Sequence, residues 1–279
     1  MYNATIQTKD GKQLNLGFEY GIVFDISPLS GVDVDIATSQ SFQQIGESVE
    51  NTSVLGLTRE IFGVIMNNEK SITEKLLSTL SAFSSGKLKI GDRYCEFTTQ
   101  KTPYINREKS GRLTFSASLY CPYPFWIDEK TNGYIFGGIT PAFSFPVIYD
   151  SHTFGIRKPV ETMNCFNRGN VRQTFNAEFS TFASVSNFGL RNVTTGSFMQ
   201  IAETISGNDV VNVYQDGGKI RIELTSEGET SNIIAKLVDN STLFELETGD
   251  NIIVPFADEG LENLNVSLTF SPAYTGVYV

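Results

Sequence analysis

The sequence has few of the residues that catalytic and metal sites need. Among its 279 residues there is one histidine, His152. A single histidine excludes most ligand sets of zinc hydrolases, and the chain has no GxSxG motif in which a serine nucleophile could meet His152. Phosphate-binding GxxxxGK[ST] loops and GxGxxG fingerprints are also absent. The sequence therefore predicts a protein that is not an enzyme and that binds no metal or cofactor.

Long apolar runs, a signal peptide and closely spaced cysteines are missing as well. A membrane-spanning helix needs about 20 apolar residues, and the polar N-terminus MYNATIQTKDGK does not resemble a secretory signal. The cysteines, Cys95, Cys121 and Cys165, are widely spaced and form no CxxC pair. This pattern is typical of reduced, buried thiols. We expect a soluble protein that is made in the cytosol and has no membrane partner.

Basic clusters are scarce, and the charge is uneven along the chain. The formal net charge is −10. Residues 1–130 contain 13 basic and 15 acidic residues, whereas residues 131–279 contain 8 basic and 16 acidic residues. An acidic surface repels phosphate backbones. We therefore expect no specific binding of nucleic acid.

What the chain does contain indicates two β-rich domains. Hydrophobic residues make up 40% of it and charged residues 19%, which is typical of a globular protein. In the stretch RLTFSASLYCPYPFW, residues 112–126, apolar residues alternate from Leu113 to Leu119, which predicts a buried strand. Prolines end this strand because they donate no hydrogen bond to a sheet, and a polar linker follows. We predict domains 1–130 and 131–279, with a junction formed by Pro122, Pro124, Phe125 and Trp126.

The first domain is predicted to be a sheet with one helix. Ser71 and Glu74 have the spacing of a capping box, in which both side chains bind free backbone amides. Apolar residues then recur at helical spacing from Ile72 to Phe83. The pattern predicts an amphipathic helix at about residues 71–85, packed on the sheet.

Residues 38–53 are polar and have few core residues of their own, chiefly Phe42, Ile45 and Val49. This composition is typical of an extended arm or β-hairpin that reaches onto a neighbour, and equally of a surface loop. Both alternatives stay open on the sequence alone.

Just before this segment, Val34 and Ile36 share one face of a predicted strand, and Asp33 and Asp35 share the other. Two carboxylates at this spacing suit a metal site in principle. Because no other ligands stand nearby in sequence, a solvated strand face is the preferred interpretation.

After Lys130 the sequence predicts strands and turns and no helix. Apolar and charged residues alternate over 219–225, and turns at 167–170 and 248–251 separate further strands. This spacing is typical of a β-sandwich, and we predict a jelly-roll-like one.

Two other functions remain open for the second domain. A carbohydrate-binding module would need an exposed aromatic platform, for which Tyr134, Tyr149 and Tyr214 are candidates, although tyrosines in a sandwich more often lie in its core or rim. A glycosidase would need paired carboxylates, but acidic residues spread through turns are usually solvated.

Several short motifs occur along the chain in the order in which one protein family has them. They are GVDV (31–34), QQIG (43–46), EIFGVI (60–65), GKLKI (86–90), KTP (101–103), CPYPFW (121–126), FSFP (143–146), NRGN (167–170), TGDN (248–251) and YTGV (274–277). By these motifs, which span essentially the whole chain, the sequence resembles the distal tail proteins of long-tailed bacteriophages, the siphophage tail-component family.

The resemblance implies a fold and a structural role. The fold is an N-terminal β-sandwich or split-barrel-like ring domain, followed by a C-terminal galectin-like, jelly-roll-like β-sandwich. Such proteins form a hexameric ring that joins the tail tube protein to the tail-associated lysin or tip protein and holds a receptor-binding or adhesion protein. DNA passes through the lumen of the ring. The implied location is the tail tip of the virion, after synthesis in the host cytoplasm.

In this family an arm of the ring domain clasps the neighbouring subunit. The resemblance places that arm at residues 38–53 of this chain. The implied ring and arm interface residues are Phe42, Gln43, Gln44, Ile45 and Val49.

Overall fold

The computed structural model describes residues 2–137, 139–141, 155–157, 162–216 and 219–278. The chain divides into two compact units. Unit 1 comprises Met1–Lys130 and Ala273–Val279, and unit 2 comprises Thr131–Pro272. The sequence predicts that the C-terminal residues belong to the second domain, 131–279. The structure groups them with unit 1, because a strand there pairs with a strand of that unit.

Unit 1 is built around one antiparallel sheet. Its elements are β1 (Ala4–Thr8), β2 (Gln13–Leu16), β3 (Ile22–Ser27), β4 (Val34–Ser39), β5 (Ser48–Val54), β6 (Leu57–Ile65), α1 (Glu69–Thr79), β7 (Ser85–Ile90), β8 (Arg93–Arg107), β9 (Leu113–Cys121) and β10 (Trp126–Asp128). Seven strands lie side by side in the order β2-β1-β7-β8-β9-β6-β3, and β10 pairs with β8. Among the described residues, strands β4 and β5 form a separate two-stranded sheet.

Strand β9 lies between β8 and β6, as the alternating pattern of the sequence requires. Phe115, Ala117 and Leu119 are buried on the core side of the sheet. The strand ends at Cys121, directly before Pro122. The prediction that proline stops this strand is confirmed, since a proline cannot continue the hydrogen-bond ladder.

Helix α1 begins earlier than the capping box predicts. Its N-cap is Asn68, whose backbone is left-handed at φ 48° and whose side chain makes no capping hydrogen bond. Ser71 therefore already lies within the first turn, and the predicted capping box of Ser71 and Glu74 is wrong. An ion pair between Glu69 and Arg107 of β8 holds the first helical residue on the sheet, which the local pattern could not reveal.

The helix also ends earlier, at Thr79 rather than about 85. Leu76 and Leu80 are buried against the sheet, as the helical spacing predicts, but Phe83 is 95% exposed. Phe83 has a left-handed backbone at φ 67°, which turns the chain towards β7 instead of continuing the helix.

Unit 2 is a β-sandwich. Its strands are β11 (Asn132–Phe136), β12 (Ile139–Pro141), β13 (Gly155–Arg157), β14 (Met163–Asn164), β15 (Asn176–Thr181), β16 (Val185–Asn192), β17 (Phe198–Ile205), β18 (Val210–Asp216), β19 (Lys219–Ser226), β20 (Glu229–Asn232), β21 (Ile252–Glu259) and β22 (Leu264–Phe270). One sheet has the order β11-β22-β15-β18-β19-β20 and a second has the order β14-β21-β16-β17, while β12 and β13 pair separately.

The two larger sheets of unit 2 share one core. Phe179 of β15 and Phe188 of β16 are fully buried, and their ring centroids lie 5.2 Å apart. Every strand pair of both sheets is antiparallel. The predicted fold class, mainly β with one amphipathic helix, is confirmed for the described residues. None of the helices in those residues is long and apolar enough to cross a membrane.

Two turn motifs of the sequence meet inside unit 2. The backbones of Asn167 and Gly249 exchange two hydrogen bonds of 2.8 Å. Asn251 is fully buried beside them, and its amide nitrogen donates to the carbonyl of Glu247 at 2.8 Å. Its side-chain oxygen accepts from the backbone amide of Glu247 at 3.0 Å and from the side chain of Asn192 at 3.1 Å. The NRGN and TGDN motifs thus stabilise each other across the sequence.

A last strand, β23 (Ala273–Tyr274), returns the chain to unit 1 and pairs with β10. It completes a nine-stranded sheet. The guanidinium of Arg93 lies 3.5 Å from the ring centroid of Tyr274 and donates to the carbonyl of Gly276 at 2.8 Å. These contacts hold the C-terminal residues on unit 1.

Candidate functional site

A hairpin of unit 1 is exposed along both of its strands. Strands β4 and β5 pair antiparallel, from Val34 opposite Val54 to Ser39 opposite Ser48. Every residue of both strands is exposed. Of the two alternatives that the sequence left open, the structure contains the hairpin. Residues 34–54 are referred to below as the arm.

The arm has one apolar face. Val34 and Ile36 alternate with polar residues on β4, and Val54 lies opposite Val34. A register shift then places Val49 opposite Thr38, so that the four aliphatic side chains share a face. All four are exposed. Since a two-stranded hairpin is marginally stable alone in water, an apolar face of this kind indicates a surface that a partner covers.

The tip of the arm carries two further apolar side chains. Phe42 is 94% exposed and Ile45 is completely exposed. Single exposed apolar residues are common on protein surfaces, but these two lie in the turn that joins the two strands. The arm therefore exposes apolar side chains both on its strands and at its tip.

The glutamines of the tip have a different role, because they shape the turn. Gln43 has a left-handed backbone at φ 64°. The side-chain oxygen of Gln44 accepts a hydrogen bond from the backbone of Ser41 at 2.9 Å. The amide nitrogen of Gln44 donates to the hydroxyl of Ser48 at 2.9 Å. These bonds hold the tip in one conformation.

The structure thus divides the five predicted arm residues into two groups. Phe42, Ile45 and Val49 expose apolar groups, whereas Gln43 and Gln44 form the turn. Four further exposed apolar residues of this region were not among the five predicted residues: Val34, Ile36, Val54 and Leu55. The alternation of Val34 and Ile36 was visible, but the same pattern also describes a strand with one buried face.

Buried polar contacts hold the root of the arm. Arg59 on β6 is fully buried, and its Nη2 donates to the carbonyl of Pro124 at 2.8 Å. Its Nη1 donates to the carbonyl of Pro28, and its guanidinium lies 4.5 Å from the ring centroid of Trp126. The indole nitrogen of Trp126 donates to the carbonyl of Leu29 at 2.9 Å. The segment that leads into the arm is therefore bonded to the core of unit 1.

The predicted junction residues all belong to unit 1. Pro122 directly follows β9, and Pro124 supplies the carbonyl that Arg59 binds. Phe125 is buried, and its ring meets that of Tyr123 edge-on at 5.2 Å. Trp126 is fully buried and begins β10. This cluster lies against the root of the arm.

The C-terminal residues contact the same root. The backbone amide of Gly31 donates to the carbonyl of Thr275 at 3.1 Å, and that of Val277 donates to the carbonyl of Leu29 at 3.3 Å. The arm therefore starts from a base that is hydrogen-bonded on two sides.

The described residues bring no metal-binding set together. Within them, no group of three or more histidine, cysteine, aspartate and glutamate residues is placed to hold a metal ion. Asp35 lies on the exposed arm and Asp33 just before it. His152 and Tyr149 lie outside the described residues, so the structure gives no position for either.

The three cysteines are free and buried. Burial raises the pKa of Cys165 to about 12. The Sγ atoms of Cys95 and Cys121 lie 3.8 Å apart, and this contact together with burial raises the pKa of Cys95. The thiols of Cys95 and Cys165 are therefore protonated at neutral pH and poor nucleophiles.

The remaining tyrosines of the sugar-platform alternative differ in position. The ring of Tyr134 stacks on Phe270 with centroids 6.1 Å apart, and its hydroxyl accepts a hydrogen bond from the backbone of Phe166 at 3.0 Å. Tyr134 is therefore a packing residue. Tyr214 instead lines a cavity of about 390 Å³, beside Arg172 and Phe244.

Comparisons with known proteins agree with this architecture. Residues 168–274 match the family model described as the C-terminal domain of the siphovirus-type tail component. The crystal structure of SPP1 Dit (gp 19.1), described as a paradigm of the hub adsorption apparatus in phages that infect Gram-positive bacteria, is similar with a TM-score of 0.63 and 10% sequence identity. The match covers 96% of this chain and 98% of that one.

A chain of the phage P2 baseplate in its activated conformation with Ca is matched over 96% of this chain and 98% of that one, at 10% identity and a TM-score of 0.46. The comparison with curated proteins gave no match. The resemblance drawn from the sequence motifs is confirmed by the family match and by the Dit fold. Residues 168–274 therefore match the C-terminal domain of the siphovirus-type tail component, and the chain has a fold similar to that of SPP1 Dit.

Proposed function

We propose that this chain is the structural distal tail protein of a phage or phage-like particle, and that unit 1 assembles into a homo-hexameric ring. One observation carries the proposal: the arm exposes apolar side chains on its strands and at its tip, on a base that is hydrogen-bonded to the core of unit 1. A contact in which an arm binds a different surface of the next copy is heterologous, and repeated contacts of this type close into rings.

In this ring, Phe42, Ile45 and Val49 pack on the neighbouring copy, while Gln43 and Gln44 keep the tip in shape. The exposed Pro122 and the buried Pro124, Phe125 and Trp126 set the point at which the chain leaves the ring domain. Arg59 ties this cluster to the segment before the arm. The arm is therefore presented in a constant direction, which a closed ring requires.

The ring joins the tail tube protein to the tail-associated lysin or tip protein, and unit 2 holds a receptor-binding or adhesion protein. Residues 1–130, which contain most of the ring-forming unit, carry 13 basic and 15 acidic residues, and this nearly neutral balance supports a lumen through which DNA passes without being gripped. The protein acts at the tail tip of the virion after synthesis in the host cytoplasm, and it catalyses no reaction.

The mass of the purified chain in solution tests this proposal. The monomer has a mass of 30.8 kDa, so light scattering should report six times that mass, and negative-stain images should show six-fold rings. A strict monomer at high concentration, with no ring on addition of tail tube protein, would contradict the proposal.

The cavity beside Tyr214 favours a second candidate function, a carbohydrate-binding module that contacts host cell-wall sugars. Its volume of about 390 Å³ and its mixture of polar and aromatic lining residues are typical of small-ligand sites. Glycan-array binding by the full chain that is lost in Tyr214→Ala would support this candidate. The unrelated Tyr104→Ala variant is the control, and an array without signal would exclude the candidate for the sugars tested.

A further inference from the structure

We propose that Cys95 and Cys121 are a redox-sensitive pair in unit 1, which an oxidant of the peroxide class joins by a disulfide that stabilises the unit. Both cysteines are free in the structure and fully buried. Their Sγ atoms lie 3.8 Å apart. The inference does not depend on the proposed ring, since it concerns contacts within one copy of unit 1.

The two cysteines meet where strand β8 changes its partner. Thr98 of β8 pairs with Tyr120 of β9, whereas Tyr94 of β8 pairs with β10. Cys95 lies between these two points, and Cys121 is the last residue of β9. A bond between the two cysteines therefore ties β8 to the end of β9, directly before the segment that leads into β10.

The separation of the two sulfurs is short enough for this bond to form. In a disulfide the sulfur atoms are about 2.05 Å apart, so the two Sγ atoms need to approach each other by less than about 2 Å. Rotation about the Cα–Cβ bond, from one staggered position to another, moves a cysteine sulfur further than this. The bond can therefore form by side-chain rotation while the strands stay in place.

A buried arginine beside the pair favours the thiolate form of one cysteine. Arg59 of β6 lies opposite Leu119, two residues before Cys121. Arg59 is fully buried, and its Nε atom has no hydrogen-bond partner within the part of the chain that the structure describes. This buried cation gains from a negative charge nearby.

The two thiols differ in their readiness to ionise. The contact with Cys95 and the charge of Arg59 together lower the pKa of Cys121, although burial opposes them. The contact with Cys121 and burial raise the pKa of Cys95. Cys121 is therefore the sulfur that attacks an oxidant, and Cys95 keeps its proton until the second step.

Peroxide is the class of oxidant that suits a buried pair, because hydrogen peroxide is little larger than water. The thiolate of Cys121 attacks one oxygen of the peroxide. An S–O bond forms, the O–O bond breaks, and the hydroxide that leaves takes up a proton to become water. The sulfur of Cys95 then attacks the Sγ atom of Cys121. The S–S bond forms as the S–O bond breaks, and the proton of the Cys95 thiol leaves with the second hydroxide as water. Overall, two thiols lose two electrons and two protons, and one peroxide becomes two waters.

The disulfide restrains unit 1 next to the root of the arm. Cys95 and Cys121 are 26 positions apart in sequence, and a crosslink over such a loop stabilises a protein chiefly by restricting its unfolded chain. Arg59, beside the pair, bonds the carbonyls of Pro28 and Pro124. Because the cytosol keeps thiols reduced whereas disulfides persist outside cells, the bond forms after the protein has left the cytosol.

Mass spectrometry of the oxidised full chain tests this inference. The reduced protein is treated with hydrogen peroxide at neutral pH, the peroxide is removed with catalase, and the remaining thiols are alkylated in urea. We expect a crosslinked pair of peptides that contain Cys95 and Cys121, while Cys165 is alkylated. The crosslink should form at least about tenfold faster than the Cys165 thiol is lost, because Cys165 is a buried thiol without an activating charge.

The controls separate the effect of the fold from the reactivity of the thiols. The Cys121→Ala variant should form no crosslink and should keep Cys95 free, whereas Cys165→Ala should form the crosslink like the wild type. Oxidation of the wild type in urea should remove the preference for the Cys95–Cys121 pair over pairs with Cys165, because the sulfurs are then not held together. The inference is wrong if both thiols survive peroxide that has oxidised free cysteine in the same tube. It is also wrong if Cys121 becomes a sulfinic acid while Cys95 stays free.

Urea unfolding of the oxidised chain tests the stabilising effect. With Trp126 fluorescence as the probe of unit 1, the oxidised wild type should unfold at a higher urea concentration than the reduced wild type. A dithiol reductant should restore the midpoint of the reduced form. Peroxide-treated Cys121→Ala, which cannot form the crosslink, should keep the midpoint of its untreated form. An unchanged or lower midpoint for the crosslinked wild type would overturn the proposed stabilisation.

Discussion

The guanidinium of Arg59 lies 4.5 Å from the ring centroid of Trp126, and both side chains are fully buried in unit 1. A buried cation is stable only when its charge is compensated. Here the carbonyls of Pro28 and Pro124 accept its hydrogen bonds, and the indole face lies over its charge. One side chain therefore connects the segment before the arm, a strand of the sheet and the stretch that leads into β10.

Replacing Arg59 by alanine should destabilise unit 1 by about 3–5 kcal/mol, because two buried carbonyls lose their donors and a cavity remains. Trp126 is the only tryptophan, so its fluorescence during urea unfolding reports unit 1. Arg112→Ala removes an exposed arginine of the same unit and should change stability by less than about 0.5 kcal/mol. Equal urea midpoints for Arg59→Ala and the wild type would show that the buried contacts of Arg59 do not stabilise unit 1.

The Asn251→Ala substitution should destabilise unit 2 by about 2–4 kcal/mol, because its buried side chain bonds the backbone of Glu247 in both directions. In urea unfolding, far-UV circular dichroism should show that unit 2 unfolds at a lower urea concentration. The tryptophan fluorescence, which reports unit 1, should keep its midpoint. The exposed Asn208, replaced by alanine, is the matched control. A shift of the fluorescence midpoint would mean that the two units do not unfold separately.

Replacing the two apolar residues at the arm tip, Phe42→Ser with Ile45→Ser, should weaken ring formation by about tenfold or more, because in the proposed ring both side chains pack on the neighbouring copy. Unit 1 should keep its urea midpoint, since both residues are exposed in the single chain. Phe83 is another exposed phenylalanine of unit 1, and Phe83→Ser should leave assembly unchanged. An arm-tip variant with wild-type assembly would rule out a role for the tip in the ring.

The native protein should react slowly with iodoacetamide at Cys95 and Cys165. Burial raises the pKa of Cys165 to about 12, so at pH 8 its reactive thiolate is scarce, whereas an unfolded thiol has a pKa of about 8.5. Stability gained from the buried thiol is present below the unfolded pKa and is lost as the pH rises towards 12. Mass spectrometry of each cysteine, with and without urea, measures the difference, and equal labelling in both conditions would contradict the assigned burial.

Strand β9 and helix α1 show which features the local sequence pattern predicts and which it does not. The alternation from Leu113 to Leu119 and the two prolines after it were enough to predict β9 and its end, because both effects are local to the strand. The ends of α1 were not predictable in this way. The helix begins at Glu69 despite the capping preference of Ser71, and the ion pair of Glu69 with Arg107 joins residues that are far apart in sequence.

The arm likewise was predicted only in part. Its polar composition and few apolar residues limited the possible structures to a hairpin or a surface loop, and the pairing of β4 with β5 in the structure distinguished the two. The depression lined by Val23, Phe62 and Tyr104 could not be found from sequence, because these residues come from three strands that meet only in the folded sheet.

Composition and alternation alone determined that this chain is β-rich, that one strand stops at Pro122, and that residues 38–53 lack a core of their own. Only the tertiary structure decided that Arg59 is buried and that the C-terminal strand returns to unit 1 beside Trp126. The physical reason is the separation along the sequence over which each interaction acts. Strand periodicity and proline stops act between neighbouring residues, whereas burial of a charge and pairing of distant strands depend on groups that the sequence does not place side by side.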